Sequence, residues 1–213
     1  MATARIYHTA TLLQDGRVLV TGGEGGSASG VLSKAELFDP KTGTFSSTGS
    51  MTAERVYHTA TLLQDGRVLI AGGENASHGL DRYLTFAELF DPRTGTFSPT
   101  VSMTMARAGP AATLLPDGRV LIAGGTGPGG QRSSAELFDA RAGTFSPTGA
   151  MTRERGAAMA TLLTDSRVLI LGGVDASAKL YDPKSSTFVA TGSMRDGEPP
   201  TPCCCSMAGS SFY

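Results

Sequence analysis

Residues 55–74 read RVYHTATLLQDGRVLIAGGE, and residues 5–24 read RIYHTATLLQDGRVLVTGGE. The rest of the chain repeats this stretch in worn form. The phrase D-G-R-V-L begins at Asp15, Asp65 and Asp117, and D-S-R-V-L at Asp165. Glycine pairs follow at Gly22-Gly23, Gly72-Gly73, Gly124-Gly125 and Gly172-Gly173. A-E-L-F-D comes next, at Ala35, Ala87 and Ala135, and decays to A-K-L-Y-D at Ala178. A period near fifty residues marks one supersecondary unit used four times, so every motif has to be weighed first as a part of that unit.

Turn chemistry divides each unit into strands. Asp65-Gly66 lies between ATLL and RVLIAGG, and an Asp-Gly pair between two β-prone runs signals a hairpin because glycine accepts positive φ. Asp91-Pro92-Arg93-Thr94-Gly95 separates FAELF from TFSPT; proline presets the first turn residue and glycine supplies a left-handed exit. The reading is four short strands per unit, about sixteen in all, with no helical period. The second strand is apolar at consecutive positions, so both its faces are expected to be covered. First strands are small (T-A-T), as suits crowding near an axis. Last strands alternate Phe with Ser and Thr, as on a half-wet edge.

The order R-x-x-H-T-A-T-L-L, D-G-R-V-L, G-G, A-E-L-F-D-P and T-G-T-F, followed by Met, resembles the kelch repeat of β-propellers, in the bacterial form similar to the central domain of galactose oxidase. The resemblance covers residues 1–194. It implies an all-β propeller with four visible blades, about 1–50, 51–102, 103–150 and 151–194, each a four-stranded antiparallel sheet. Two departures stand out. The family places Trp in the last strand, where this chain has Phe45, Phe97, Phe145 and Phe188 and no Trp anywhere. Kelch propellers also commonly have six or seven blades. An open arc of four leaves two apolar faces wet, so the blades must close as a ring of four, pair with another copy, or belong to a longer, incomplete ring. Residues 195–213, polar and Pro-rich apart from Cys203, Cys204 and Cys205, are expected to be a disordered tail.

Composition narrows the function classes. Eighteen basic residues against nineteen acidic ones form no field that gathers phosphate, and no apolar run is long enough to span a bilayer, so neither nucleic acid nor membrane is an expected partner. The N-terminus lacks the apolar stretch of a signal peptide, which makes a soluble, cytoplasmic protein the default reading. The three adjacent cysteines suit neither a disulfide framework nor a spaced metal site.

Strand order places the near-identical Asp-Gly and Asp-Pro turns on one face of the disc. The connections between strands two and three fall on the other, and they differ from copy to copy: residues 24–34, 74–86, 126–134 and 174–177. Variation on a repeat scaffold is where recognition can be encoded. Glu74, Asn75, His78, Asp81, Arg82, Tyr83 and Arg132 are therefore the candidate binding residues, against the bland alternative of plain solvated surface. Arg5, Arg55, Arg107 and Arg155 stand before each first strand. They are expected to bond loop carbonyls or Glu36, Glu88 and Glu136, while Arg55, Arg107 and Arg155 remain candidates to present a donor to a ligand. In galactose oxidase-like enzymes a similar phrase supplies copper ligands, so the resemblance makes Tyr57 and His58 a weak metal candidate. The second His ligand and the Tyr-Cys pair of such a site are absent, and repeats three and four carry Gly109-Pro110 and Ala157-Ala158 instead. The reading favoured is a non-catalytic scaffold without cofactor that binds a protein partner. A carbohydrate or small-ligand propeller and a degenerate copper oxidase fragment are the alternatives.

Overall fold

The computed structural model describes residues 1–26, 30–76, 79–173 and 175–194. Each repeat forms one four-stranded antiparallel meander, with strands neighbouring in sheet order as they do in sequence. Sheet one comprises Thr9–Leu12, Val18–Thr21, Lys34–Asp39 and Thr44–Ser50. Sheet two comprises Thr59–Leu62, Val68–Ala71, Ala87–Asp91 and Thr96–Pro99. Sheet three comprises Ala111–Leu114, Arg119–Ala123, Ala135–Asp139 and Thr144–Pro147. Sheet four comprises Ala158–Leu162, Val168–Gly172, Ser177–Asp182 and Thr187–Ser193. Among the described residues, helical structure is confined to the 3-10 turn Gly79–Arg82.

The hairpin turns follow from local chemistry. In each Asp-Gly-Arg turn the aspartate accepts from the backbone amide two residues on and from that residue's guanidinium, as with Asp65 and Arg67 at 3.0, 2.9 and 2.6 Å. Glycine then turns the chain at positive φ, 86° at Gly16 and 87° at Gly66; in the fourth copy Ser166 is forced to φ 72°. At the other hairpin Ser186 (φ 55°) stands where the earlier copies have glycine.

First strands of successive sheets lie against one another, so the sheets stack face to face with their small inner strands together. Apolar clusters fill the junctions. Leu19, Leu37 and Met51 of sheet one meet Val68, Ile70 and Phe90 of sheet two, and the same positions recur at the next two junctions. The second strand of sheet two is buried at all four positions, as its consecutive apolar residues require. Fourth strands are largely exposed, and their phenylalanines lean on an aromatic of the third strand. Phe97 lies opposite Phe90 in register, with ring centroids 4.8 Å apart. Among the described residues no comparable junction joins sheet four to sheet one, and the stack is an open arc.

Candidate functional site

The repeated arginines are buried polar groups. Arg55, Arg107 and Arg155 are fully buried and Arg5 nearly so. Each bridges the splayed ends of the second and third strands of its own sheet. Arg55 Nη1 donates to Gly72 O and Phe86 O at 3.0 Å each, and Nη2 donates to Glu88 Oε1 at 2.5 Å. Arg107 repeats this with Gly124 O, Ser134 O and Glu136, and Arg5 with Gly22 O, Lys34 O and Glu36. The second carboxylate oxygen accepts from the segment leading into the same sheet, Thr52 N for Glu88 and Ala2 N for Glu36, both at 2.8 Å. Burial pushes the Glu36 carboxyl up, but the Ala2 amide and the Arg5 guanidinium outweigh it and hold the pKa below the ordinary value. Burial draws the pKa of Arg55 and Arg107 down, opposed by their glutamates.

This corrects one half of the expectation for Arg55, Arg107 and Arg155. They brace the loops, but with no exposed surface they offer no donor to a ligand. In the fourth repeat the glutamate is replaced by buried Lys179, and Asp175 from the preceding loop takes over. Its carboxylate lies 3.4 Å from Arg155 and 2.8 Å from Arg153. Bonds from Ser177, then from Arg153, hold the Asp175 carboxyl far below its usual range.

Tyr57 and His58 are used in two separate ways. His58 is buried, with Nε2 3.0 Å from Thr9 Oγ1 and 3.1 Å from Thr21 Oγ1 of the preceding sheet. Burial, reinforced by the nearby charges of Arg55 and His8, pushes its pKa down to about 3. Tyr57 is 41% exposed and packs at a tilt against half-buried Tyr7, ring centroids 4.5 Å apart. Among the described residues no three His, Cys, Asp or Glu side chains gather as a metal site.

Tyr7 and Tyr57 both stand at φ 55°, and Gly109 and Ala157 occupy the same position at 58° and 53°. A bulky residue in the left-handed region is strained by roughly 1–3 kcal/mol and needs compensation. At Tyr57 and Ala157 backbone bonds across the inner edge contribute to it: Gly109 N donates to Tyr57 O at 2.7 Å and Ala157 N to Gly109 O at 3.0 Å. The sequence marks Tyr57 and His58 only as a weak metal candidate, and the contact of Tyr57 with Tyr7 is not evident from it. The glycine at the same position in the third repeat was the available signal.

Next to the tyrosine pair stands the second loop. Val56, immediately before Tyr57, pairs with Glu74, which pairs with Tyr83. Asn75 N donates to Arg82 O at 3.0 Å, closing the loop around the 3-10 turn. The Arg82 guanidinium lies 4.7 Å from the Tyr83 ring centre, donates to Tyr83 Oη at 2.7 Å and sits 3.6 Å from the Glu74 carboxylate. Asp81 and Arg82 are exposed. Glu74, Asn75, Asp81, Arg82 and Tyr83 thus form one group beside Tyr57. His78 lies outside the described residues. Arg132 belongs elsewhere: its Nε donates to Ala106 O at 3.0 Å and Nη2 to Pro128 O at 3.2 Å, bracing the loop of sheet three.

The opposite face carries a groove of about 640 Å³ between sheets two and three, lined by Asp65, Arg67, Asp117 and Arg119. Its charges are already paired within their own turns, Arg67 with Asp65 at 2.6 Å and Arg119 with Asp117 at 2.7 Å. Those residues are turn chemistry repeated in every copy. No helix among the described residues is long and apolar enough to cross a membrane.

The family pattern of the Kelch motif matches residues 5–52, the first repeat with its linker. No curated protein matches the chain.

Proposed function

We propose, from the premise that this chain is a kelch-repeat protein, that it is a non-catalytic interaction scaffold whose partner protein docks on the loop face of sheet two, at Glu74, Asp81, Arg82 and Tyr83. The observation that carries this reading is the contrast between two sets of arginines. Those repeated in every copy are buried and turned onto backbone carbonyls and acidic or hydroxyl side chains of their own sheet, whereas Arg82 occurs in one copy and lies exposed across Tyr83. A guanidinium over an aromatic ring, with a carboxylate nearby, is the kind of amphipathic anchor that interfaces use. The test is a photocrosslinker placed at Tyr83 to capture and identify the partner, followed by affinity measurement with Asp81→Arg and Arg82→Glu. Binding is expected to weaken at least about tenfold, the equivalent of ~1.4 kcal/mol, with unchanged thermal melting. Undiminished binding by the doubly reversed protein overturns the reading.

The exposed ring of Tyr57, held at a tilt against half-buried Tyr7, favours a second reading, a ligand with a flat apolar face such as a sugar ring laid on Tyr57. Titration with a glycan panel while following tyrosine fluorescence tests it. Loss of a response in Tyr57→Ala supports it, and the absence of any response in the intact protein sinks it.

A further inference from the structure

The three junctions between sheets share one construction whose two halves differ. The leading sheet supplies a leucine and a methionine, Leu19 and Met51, then Leu69 and Met103, then Leu121 and Met151, all at most 4% exposed. The following sheet answers with a valine and an aromatic, Val68 and Phe90, Val120 and Phe138, Val168 and Tyr181, all fully buried. A backbone bond closes each junction: Gly23 N donates to Arg55 O, Gly73 N to Arg107 O and Gly125 N to Arg155 O, at 2.7–2.8 Å.

The chain carries one more of each half, and both are uncovered. On sheet four Leu169 is only half-buried, Met194 is 45% exposed, and Met159 is 55% exposed where its counterpart Thr9 is buried against His58. On sheet one Val18 and Phe38 are half-buried and Leu12 is 57% exposed. The glycines report the same vacancy. A Cβ on Gly22 or Gly124 would collide with the following arginine's carbonyl at 2.5–2.6 Å, whereas one on Gly172 would meet nothing nearer than 3.9 Å.

We infer that the fourth sheet of one copy of this chain seats the first sheet of a second copy, head to tail, as a fourth instance of the internal junction. The occupant is a second copy because the exposed half on sheet four is built to the same pattern as the halves that receive sheets two, three and four, and sheet one presents the matching half. Neither half is self-complementary, so the contact is heterologous and requires a different end of the partner. In it the Gly173 amide donates to the carbonyl of Arg5 of the second copy, and Leu169 and Met194 cover Val18 and Phe38.

Sedimentation of the full chain over a wide concentration range, with reductant present so that Cys203, Cys204 and Cys205 cannot link copies, should reveal a species of two or more copies. Leu12→Glu disables one half and Met159→Glu the other. Both sites are exposed, so the dilute proteins should melt as the parent does, and Leu12→Gln and Met159→Gln serve if the charged variants do not fold. Each variant alone should be monomeric, while an equimolar mixture should form a 1:1 pair, because each retains the half the other lacks. The inference fails if the parent is monomeric at every concentration, if either folded variant still self-associates, or if the mixture does not pair.

Discussion

His58 Nε2 lies 3.0 Å from the hydroxyl of Thr9, a residue of the preceding sheet, so one hydrogen bond ties two repeats together through a buried imidazole. The folded pKa of about 3 stands well below the ordinary value near 6.5. Between those values the unfolded chain binds a proton that the folded one refuses. The stabilisation from neutral His58 is therefore complete above about pH 6.5 and declines as pH falls towards 3. We expect unfolding free energy to drop by up to about 1.4 kcal/mol per pH unit across this window, and the slope to flatten in His58→Gln. Urea titrations at several pH values check this.

The Arg55–Glu88 pair is buried on both sides, with side chains at most 1% exposed. Removing one partner strands the other's charge. Glu88→Ala is expected to destabilise by about 3–5 kcal/mol, and Arg55→Met combined with Glu88→Leu to recover only part of that loss, since the Gly72 and Phe86 carbonyls and the Thr52 amide lose their partners. Denaturant midpoints of Glu88→Ala and of the double variant decide it.

Ser166 and Ser186 hold positive φ where the other repeats have glycine. Glycine takes this conformation without the Cβ clash, at the expense of some unfolded-chain entropy. Ser166→Gly and Ser186→Gly should each stabilise by about 0.5–1 kcal/mol, additively, since the two turns are separate. A rise in melting temperature for each, and a larger one for both, is the readout.

Asp175 holds Arg155 in the one repeat that lacks the glutamate. Its lowered pKa means the contribution is present above the usual aspartate range near pH 4 and fades as acid protonates the carboxyl. Asp175→Asn should speed amide exchange in Ser177–Asp182 while leaving the corresponding strand of sheet two, Ala87–Asp91, unchanged.

Strand layout was legible because its determinants are local. Asp15, Gly16 and Arg17 fold their turn with bonds spanning two residues, and the third-strand and fourth-strand phenylalanines meet directly in register. The bracing role of Arg55 could be anticipated from its recurrence with Glu88, but its complete burial could not, since an arginine before a strand reads equally as a rim residue. Arg132 and Arg82 looked alike in sequence. One turns back on Ala106 and Pro128 and the other lies over Tyr83, because the two loops differ in length and share no register. The left-handed Tyr7 and Tyr57 carry no mark in composition; only the path of the backbone between neighbouring sheets dictates it.

In the first three repeats the ion pair closes within the unit: Arg5 with Glu36, Arg55 with Glu88, Arg107 with Glu136. A unit that carries its own counter-ion can be copied or deleted as a cassette without stranding a charge in either neighbour. Growth and shrinkage of such arrays in whole modules is then electrostatically neutral, and what limits their number is the geometry of the apolar faces alone.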